Sequence, residues 1–169
     1  MQRSTVYSLL FLIVPVGVFF LPILISDHAF AYRDSGRFYY RQFEWNKSQW
    51  EAGRIPLWNP QENLGTGVVG EASSSVFYPL QAIFVIPWLK FSTAFVLYAA
   101  VHVYLASVGA FFLARAVRCE SLSALMASIS FSLCGSVLFQ TCNIVFLVGA
   151  SWLPFGILFA LQLTRQSPS

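Results

Sequence analysis

The sequence predicts an all-α, polytopic membrane protein with about four transmembrane helices and a long structured loop after the first. Three observations predict it. The 169-residue chain is 57% hydrophobic and only 10% charged, with a mean hydropathy of +0.65, which is membrane-protein composition. Several apolar runs approach or reach the roughly 20 residues that cross a hydrocarbon core. Finally, six of the seven acidic residues (Asp27, Asp34, Glu44, Glu51, Glu62, Glu71) and five of the ten basic ones (Arg33, Arg37, Arg41, Lys47, Arg54) fall in one polar stretch, Ser26 to Ser75. The apolar runs anchor the chain and the loop carries its chemistry.

Thr5 to Ile25 has no charged residue and is predicted as the first span, with Pro15 and Pro22 placed to kink it. The competing reading is a signal peptide, with Arg3 as its charged region and Ala29-Phe30-Ala31 as the cleavage site. The apolar run exceeds the roughly 7–15 residues of an ordinary signal core, which favours the span. Both readings export the loop 26–75. Within the loop, Phe38, Phe43, Trp45 and Trp50 alternate with charges from Ser35 to Ala52. This predicts a helix lying at the membrane surface with its aromatics at headgroup depth. Gly53 is its stop, and Pro56 forbids continuation. Pro56 to Gly70 reads as turns. Val76 to Leu89, bracketed by Pro79 and Pro87, is too short to span and is expected to be an interfacial or re-entrant helix. Spans follow at 92–114, 122–139 and 146–163. Four spans put Arg3, Arg115, Arg118 and Arg165 on one side, which the positive-inside rule makes the cytoplasm. The loop and the turn Gln140 to Ile144 then face outward.

Several function classes drop out. The net charge of +3 forms no basic stripe, so nucleic acid is not an expected partner. The three cysteines make no disulfide framework: Cys134 and Cys142, on one helix, would be separated by about 12 Å of rise. No CxxC or Cys/His cluster suggests a metal site. Gly65-Thr66-Gly67-Val68-Val69-Gly70 spells GxGxxG, but no strand precedes it and no βαβ unit surrounds it. It reads as a flexible loop.

Four blocks carry further information: RDSGRFYY at Arg33–Tyr40, GRIPLWNPQENLGTG at Gly53–Gly67, EASSSVFYP at Glu71–Pro79, and FQTCNIVFLVGASWLP at Phe139–Pro154. Together they resemble the N-terminal part of the YfhO-type bacterial membrane proteins, a branch of the GT-C glycosyltransferases, over about Asp27 to Leu163. Relatives are several times longer, so the resemblance covers only their first few helices. It implies a multi-pass protein of the bacterial cytoplasmic membrane that transfers a sugar from a lipid-phosphate carrier to an extracytoplasmic acceptor. The expected partners are membrane lipid, the lipid-phosphate-linked sugar, and further membrane helices from a neighbouring chain. The alternative is a non-catalytic membrane subunit or a truncated remnant of the family.

Such a transfer needs a carboxylate to take the acceptor's proton, and arginines or a divalent cation to neutralise the leaving phosphate. Asp34, set among Arg33, Arg37, Tyr39 and Tyr40, matches the family's base position; by residue chemistry alone it could equally be a surface ion pair. Asp27, beside His28, is the second candidate, or simply the charge that stops the helix. Arg33, Arg37, Arg41 and Arg54 suit a lipid phosphate, whose oxygens a guanidinium fork matches, or else anionic headgroups and the loop's own acids. Glu71 is a candidate for substrate contact or a solvated acid. The PLWNP block reads as architecture, with Asn59 bonding nearby backbone and Trp58 burying an aromatic at the interface. His102, within the second span, reads as a neutral imidazole bonded between helices or as a functional group. Gln140 and Asn143 could line the loop's cavity, cap a helix or join helices. Ser128, Ser130, Ser132, Gly135 and Ser136 fit close helix packing.

Overall fold

The computed structural model describes residues 3–26 and 28–166. The helices are α1 (Arg3–Leu24), α2 (Tyr40–Glu51), α3 (Phe91–Ala116), α4 (Ser121–Ser132), α5 (Gly135–Leu138) and α6 (Ile144–Gln166), and two short strands, β1 (Trp58–Asn59) and β2 (Thr66–Gly67), pair antiparallel. Three helices are long and apolar enough to cross a membrane: Ser4–Leu24, Phe91–Ala116 and Ile144–Arg165. A fourth crossing exists if α4 and the segment Gly135–Cys142, bent by 42°, count as one. These are the lengths and compositions of an all-α membrane protein.

The bend departs from the single helix expected over 122–139. α4 ends at Ser132, with Leu133 as its cap, and Cys134 adopts an extended backbone with ψ 153°. The Cys134 Sγ lies 2.9 Å from the Phe131 carbonyl and 2.9 Å from the Ser136 Oγ. Short polar side chains that bond nearby backbone compete with the helical ladder, and several of them sit here.

The chain forms two compact units. One contains the chain up to Pro22, Ala100–Gln140, and the chain from Phe146. Its core joins Leu12, Phe111, Ala114 and Ala124. The Tyr104 hydroxyl donates to the Leu9 carbonyl at 3.2 Å. Gly109 meets the Phe155 ring so closely that a Cβ there would lie 2.8 Å from it. His102 is fully buried. At the C-terminal end of α3, Arg115 donates to the Cys119 carbonyl at 2.6 Å and Arg165 to the Ala116 carbonyl at 2.9 Å. Two of the basic residues used for orientation therefore share one end of this unit, where they complement the negative end of α3.

The other unit contains Ile23–Ala99 and Thr141–Val145, and so includes most of the polar loop. A π-helical turn, Ser35–Tyr39, leads straight into α2. Residues 35, 39, 42, 43 and 46 are buried, the spacing of one helical face. That face rests on an aromatic floor, with Phe43 against Phe84, Tyr98 and Phe95 at centroid distances of 5.3, 5.8 and 6.2 Å. Phe43 is therefore covered by protein and not, as expected, placed at headgroup depth. Its cover includes Phe84, whose approach the sequence does not display.

α2 ends with the Gly53 N–H on the Trp50 carbonyl and the Arg54 N–H on the Gln49 carbonyl, both at 2.9 Å, with Gly53 at φ +68°. This is the left-handed glycine closure that satisfies the last carbonyls. A buried amide chain fastens the helix to the following segment. The Gln42 Nε2 donates to the Asn46 Oδ1 at 3.0 Å, and the Asn46 Nδ2 to the Ser74 carbonyl at 3.0 Å.

Residues 57–68 form a miniature hairpin, with Trp58 opposite Gly67, Asn59 opposite Thr66, and the Val68 N–H on the Leu57 carbonyl at 2.9 Å. The glycine-rich stretch is thus half of a ladder rather than a free loop. Gly65, at φ +115°, faces the Trp58 ring, which a Cβ would meet at 2.5 Å. Trp58 itself stays 59% exposed, while Asn59 is buried. The segment expected to be an interfacial or re-entrant helix over 76–89 is helical only at Pro79–Val85, as a 3-10 turn. Three residues per turn puts Gln81 and Phe84 on one side, and both are buried.

Candidate functional site

The first cluster grows from the turn around Asp34. Arg33 holds a left-handed backbone at φ 54°. Gly36 lies against the Ala31 backbone, and a Cβ would come within 2.8 Å of its Cα and oxygen. The Tyr40 N–H closes the π-turn on the Ser35 carbonyl. The Ser35 hydroxyl is buried without a hydrogen-bond partner among the described residues. Left-handed non-glycine residues, π-turns and orphaned polar groups are strained features that gather at functional sites. Asp34 opens this turn and is exposed.

The turn delivers Tyr39. Its hydroxyl donates to the Asn143 Oδ1 at 2.7 Å and accepts the Val145 N–H. Asn143 immediately precedes α6 and Val145 lies in its first turn, where N–H groups have no intrahelical acceptor. Tyr39 therefore caps α6 from a segment about a hundred residues away in the chain. Burial pushes the Tyr39 hydroxyl pKa up, the Val145 N–H opposes the rise, and the Asp34 and Glu71 carboxylates add to it. Asp34, Glu71 and Tyr39 thus share one electrostatic neighbourhood. The Glu62 carboxyl is also pushed up, first by burial and then by Glu71.

The second cluster is a polar cavity of about 250 Å³. Arg37, Phe38, Arg41, Gln42 and Trp45 line it from the helical side, and Asn59, Gln61 and Glu62 from the hairpin. Arg37, Arg41 and Trp45 recur every four residues, so they lie along one stripe. Neither arginine forms an ion pair among the described residues. The acid on this helix that pairs is Glu51, with Lys47 at 3.4 Å.

Of the residues singled out in the sequence, Arg37, Arg41 and Asn59 line the cavity. Asp34 and Glu71 both push the Tyr39 pKa up, and Asn143 is bonded to its hydroxyl. Arg33 and Arg54 are exposed and do not line the cavity. Gln140 belongs to the other unit. Asp27 lies outside the described residues. The Asn59 Oδ1 accepts the Gln61 N–H at 3.0 Å, an Asx turn, so its role is architectural as expected of the PLWNP block. Among the described residues, no three His, Cys, Asp or Glu side chains converge as metal ligands.

No protein-family model matches the chain, and no curated protein or solved structure matches it significantly. The functional reading therefore rests on the two clusters. The sequence had not singled out Gln42, Trp45, Gln61 or Glu62 for the site. The four-residue stripe 37–41–45 was the available signal, whereas the approach of Glu62 depends on the hairpin.

Proposed function

We propose that this chain acts in a GT-C-like membrane glycosyltransferase of the YfhO type, which transfers a sugar from a lipid-phosphate carrier to an acceptor outside the cytoplasm. The observation that carries the reading is the cavity wall formed by Arg37 and Arg41. Two unpaired guanidinium groups, one turn apart, face a polar space in the unit that also contains the first residues of α3. Guanidinium forks suit a phosphate, and the amides and Trp45 beside them suit a sugar's hydroxyls and face. Asp34 is the proposed base; its strained, exposed turn precedes the arginines on the same helical segment.

The transfer test uses the protein reconstituted in vesicles, with any helices it assembles with, and a polyprenyl-phosphate-linked sugar. Asp34→Asn keeps size and hydrogen-bonding capacity but cannot accept the proton. We expect at least about a hundredfold loss of transfer, the scale of a general base. Activity within a few-fold of wild type would remove Asp34 as the base and leave the non-catalytic subunit reading in front. The orientation has its own test. Impermeant thiol reagents should label a cysteine placed at Ser48 or Gln61 in intact cells, but not one at Arg118. Labelling at Arg118 alone would reverse the sidedness.

A further inference from the structure

The cavity beside α2 has two unlike walls. Arg37 and Arg41 stand on one, and Glu62 on the other. They do not pair with each other among the described residues, so both charges remain available to a ligand. The acid wall is anchored through its backbone: the Glu62 carbonyl accepts the Gly65 N–H at 2.7 Å and the Thr66 hydroxyl at 3.1 Å. The cationic wall is carried on a helix whose opposite face is buried. The volume, about 250 Å³, falls below the roughly 300–1,000 Å³ of ordinary ligand pockets, which suits a headgroup and not a nucleotide.

We propose that this cavity binds a phosphoester whose far end carries an ammonium group, with the phosphate on Arg37 and Arg41 and the ammonium at Glu62. The proposal rests on the lipid-phosphate reading for its phosphate end and adds the chemistry of the other end. A plain phosphate would use only the arginine wall. A neutral sugar phosphate would press a carboxylate with no cationic partner against the ligand, and desolvating an uncompensated charge is unfavourable. An ammonium group satisfies Glu62, and Trp45 in the same cavity offers it an aromatic face. Burial and the neighbouring Glu71 already disfavour the charged form of Glu62, a penalty that a bound cation relieves. Two sources share this chemistry: the headgroup of an aminophospholipid and an amino sugar on a lipid phosphate.

Binding to the purified full chain in detergent, measured by titration calorimetry without any transfer, separates this inference from the failure of the transferase reading. The probes are phosphoethanolamine, glucosamine 1-phosphate, glucose 1-phosphate and inorganic phosphate. The amine-bearing esters should bind about tenfold tighter than the amine-free ones, the scale of one charge-assisted contact. Glu62→Gln should erase that preference without weakening phosphate binding, because it removes a like charge from the phosphate's cavity and only the backbone carbonyl of Glu62 serves the fold. Arg41→Ala should weaken all four. Equal binding of amine-bearing and amine-free esters by the wild type, or a preference that survives Glu62→Gln, overturns the proposal. Nanodiscs distinguish the sources. Loss of phosphoethanolamine binding in phosphatidylethanolamine discs but not in phosphatidylglycerol discs supports the bilayer headgroup. Retained amine preference in both supports the amino sugar.

Discussion

α1 and α2 are covered in opposite ways. α1 is apolar along nearly all its length, yet Tyr7 and Val18 are each 69% exposed and Leu10 is 56% exposed. α2 carries Arg41, Glu44, Lys47 and Glu51, yet Phe43 is fully covered and Asn46 is 1% exposed. A helix satisfies its own backbone, so an apolar one can leave its side chains to hydrocarbon. A twelve-residue charged helix has no such medium and is marginal in isolation. α2 persists because its buried face has a floor of rings and a chain of amides to rest on. The difference shows that α2, in the polar loop where the candidate site also lies, depends on packing within the protein, while α1 packs along one face, through Leu12, Val16 and Phe20, and leaves the rest to its solvent.

The largest expected effect tests that contrast directly. Phe43→Ala removes the ring that meets Phe84, Tyr98 and Phe95, and should destabilise the loop unit by about 3–5 kcal/mol, the usual cost of emptying an aromatic site. Val18→Ala on α1 should stay within about 0.5 kcal/mol, because it opens no cavity in the protein. Hydrogen exchange of the α2 amides in detergent-solubilised protein measures the first, and thermal melting measures both. Equal destabilisation by the two substitutions would break the distinction between the helices.

How much of this was visible in the sequence follows from the range of the forces involved. The apolar helices were legible because length and apolarity are local properties. The end of α2 was legible too, because Gly53 and Arg54 close it through N–H bonds to the Trp50 and Gln49 carbonyls, all within six residues. Asn59 could be read as a turn residue for the same reason. The break at Cys134 was missed because the run 122–139 is uniformly apolar on average, while a few short polar side chains decide the local backbone. The pairing of Trp58-Asn59 with Thr66-Gly67 was missed since glycine-rich text does not state which strand it will join. Gln42 and Asn46 look like solvent-facing residues of a charged helix. Only the return of Ser74 gives them a buried partner. The cavity was half legible: the stripe at 37, 41 and 45 is periodic, whereas Glu62 reaches it through a fold of the chain.

The smallest effect concerns the Tyr39 hydroxyl, which joins the loop's strained turn to the start of α6. Tyr39→Phe keeps the ring, which packs against Phe43 with centroids 6.0 Å apart, and removes only the hydroxyl. The Asn143 Oδ1 loses its donor and the Val145 N–H loses its acceptor, so the loss should be about 1–2 kcal/mol, similar to removing a helix cap. pH supplies a signature that packing alone would not. The folded-state pKa of Tyr39 is raised above the ordinary 10.0, chiefly by burial. The unfolded chain therefore ionises first as pH rises. The stabilisation from the neutral hydroxyl is fully present below about pH 10 and is lost as pH rises through the folded value. An ionised Tyr39 could no longer donate to Asn143, and it would face the Asp34 and Glu71 carboxylates. Denaturation of wild type and Tyr39→Phe, followed by tryptophan fluorescence, should show a constant gap from pH 7 to 9 that narrows above pH 10. Tyr40, whose pKa is also raised by burial and by Glu44, is present in both proteins and cancels in the difference. Parallel stability curves across the alkaline range would show that the hydroxyl does not cap α6.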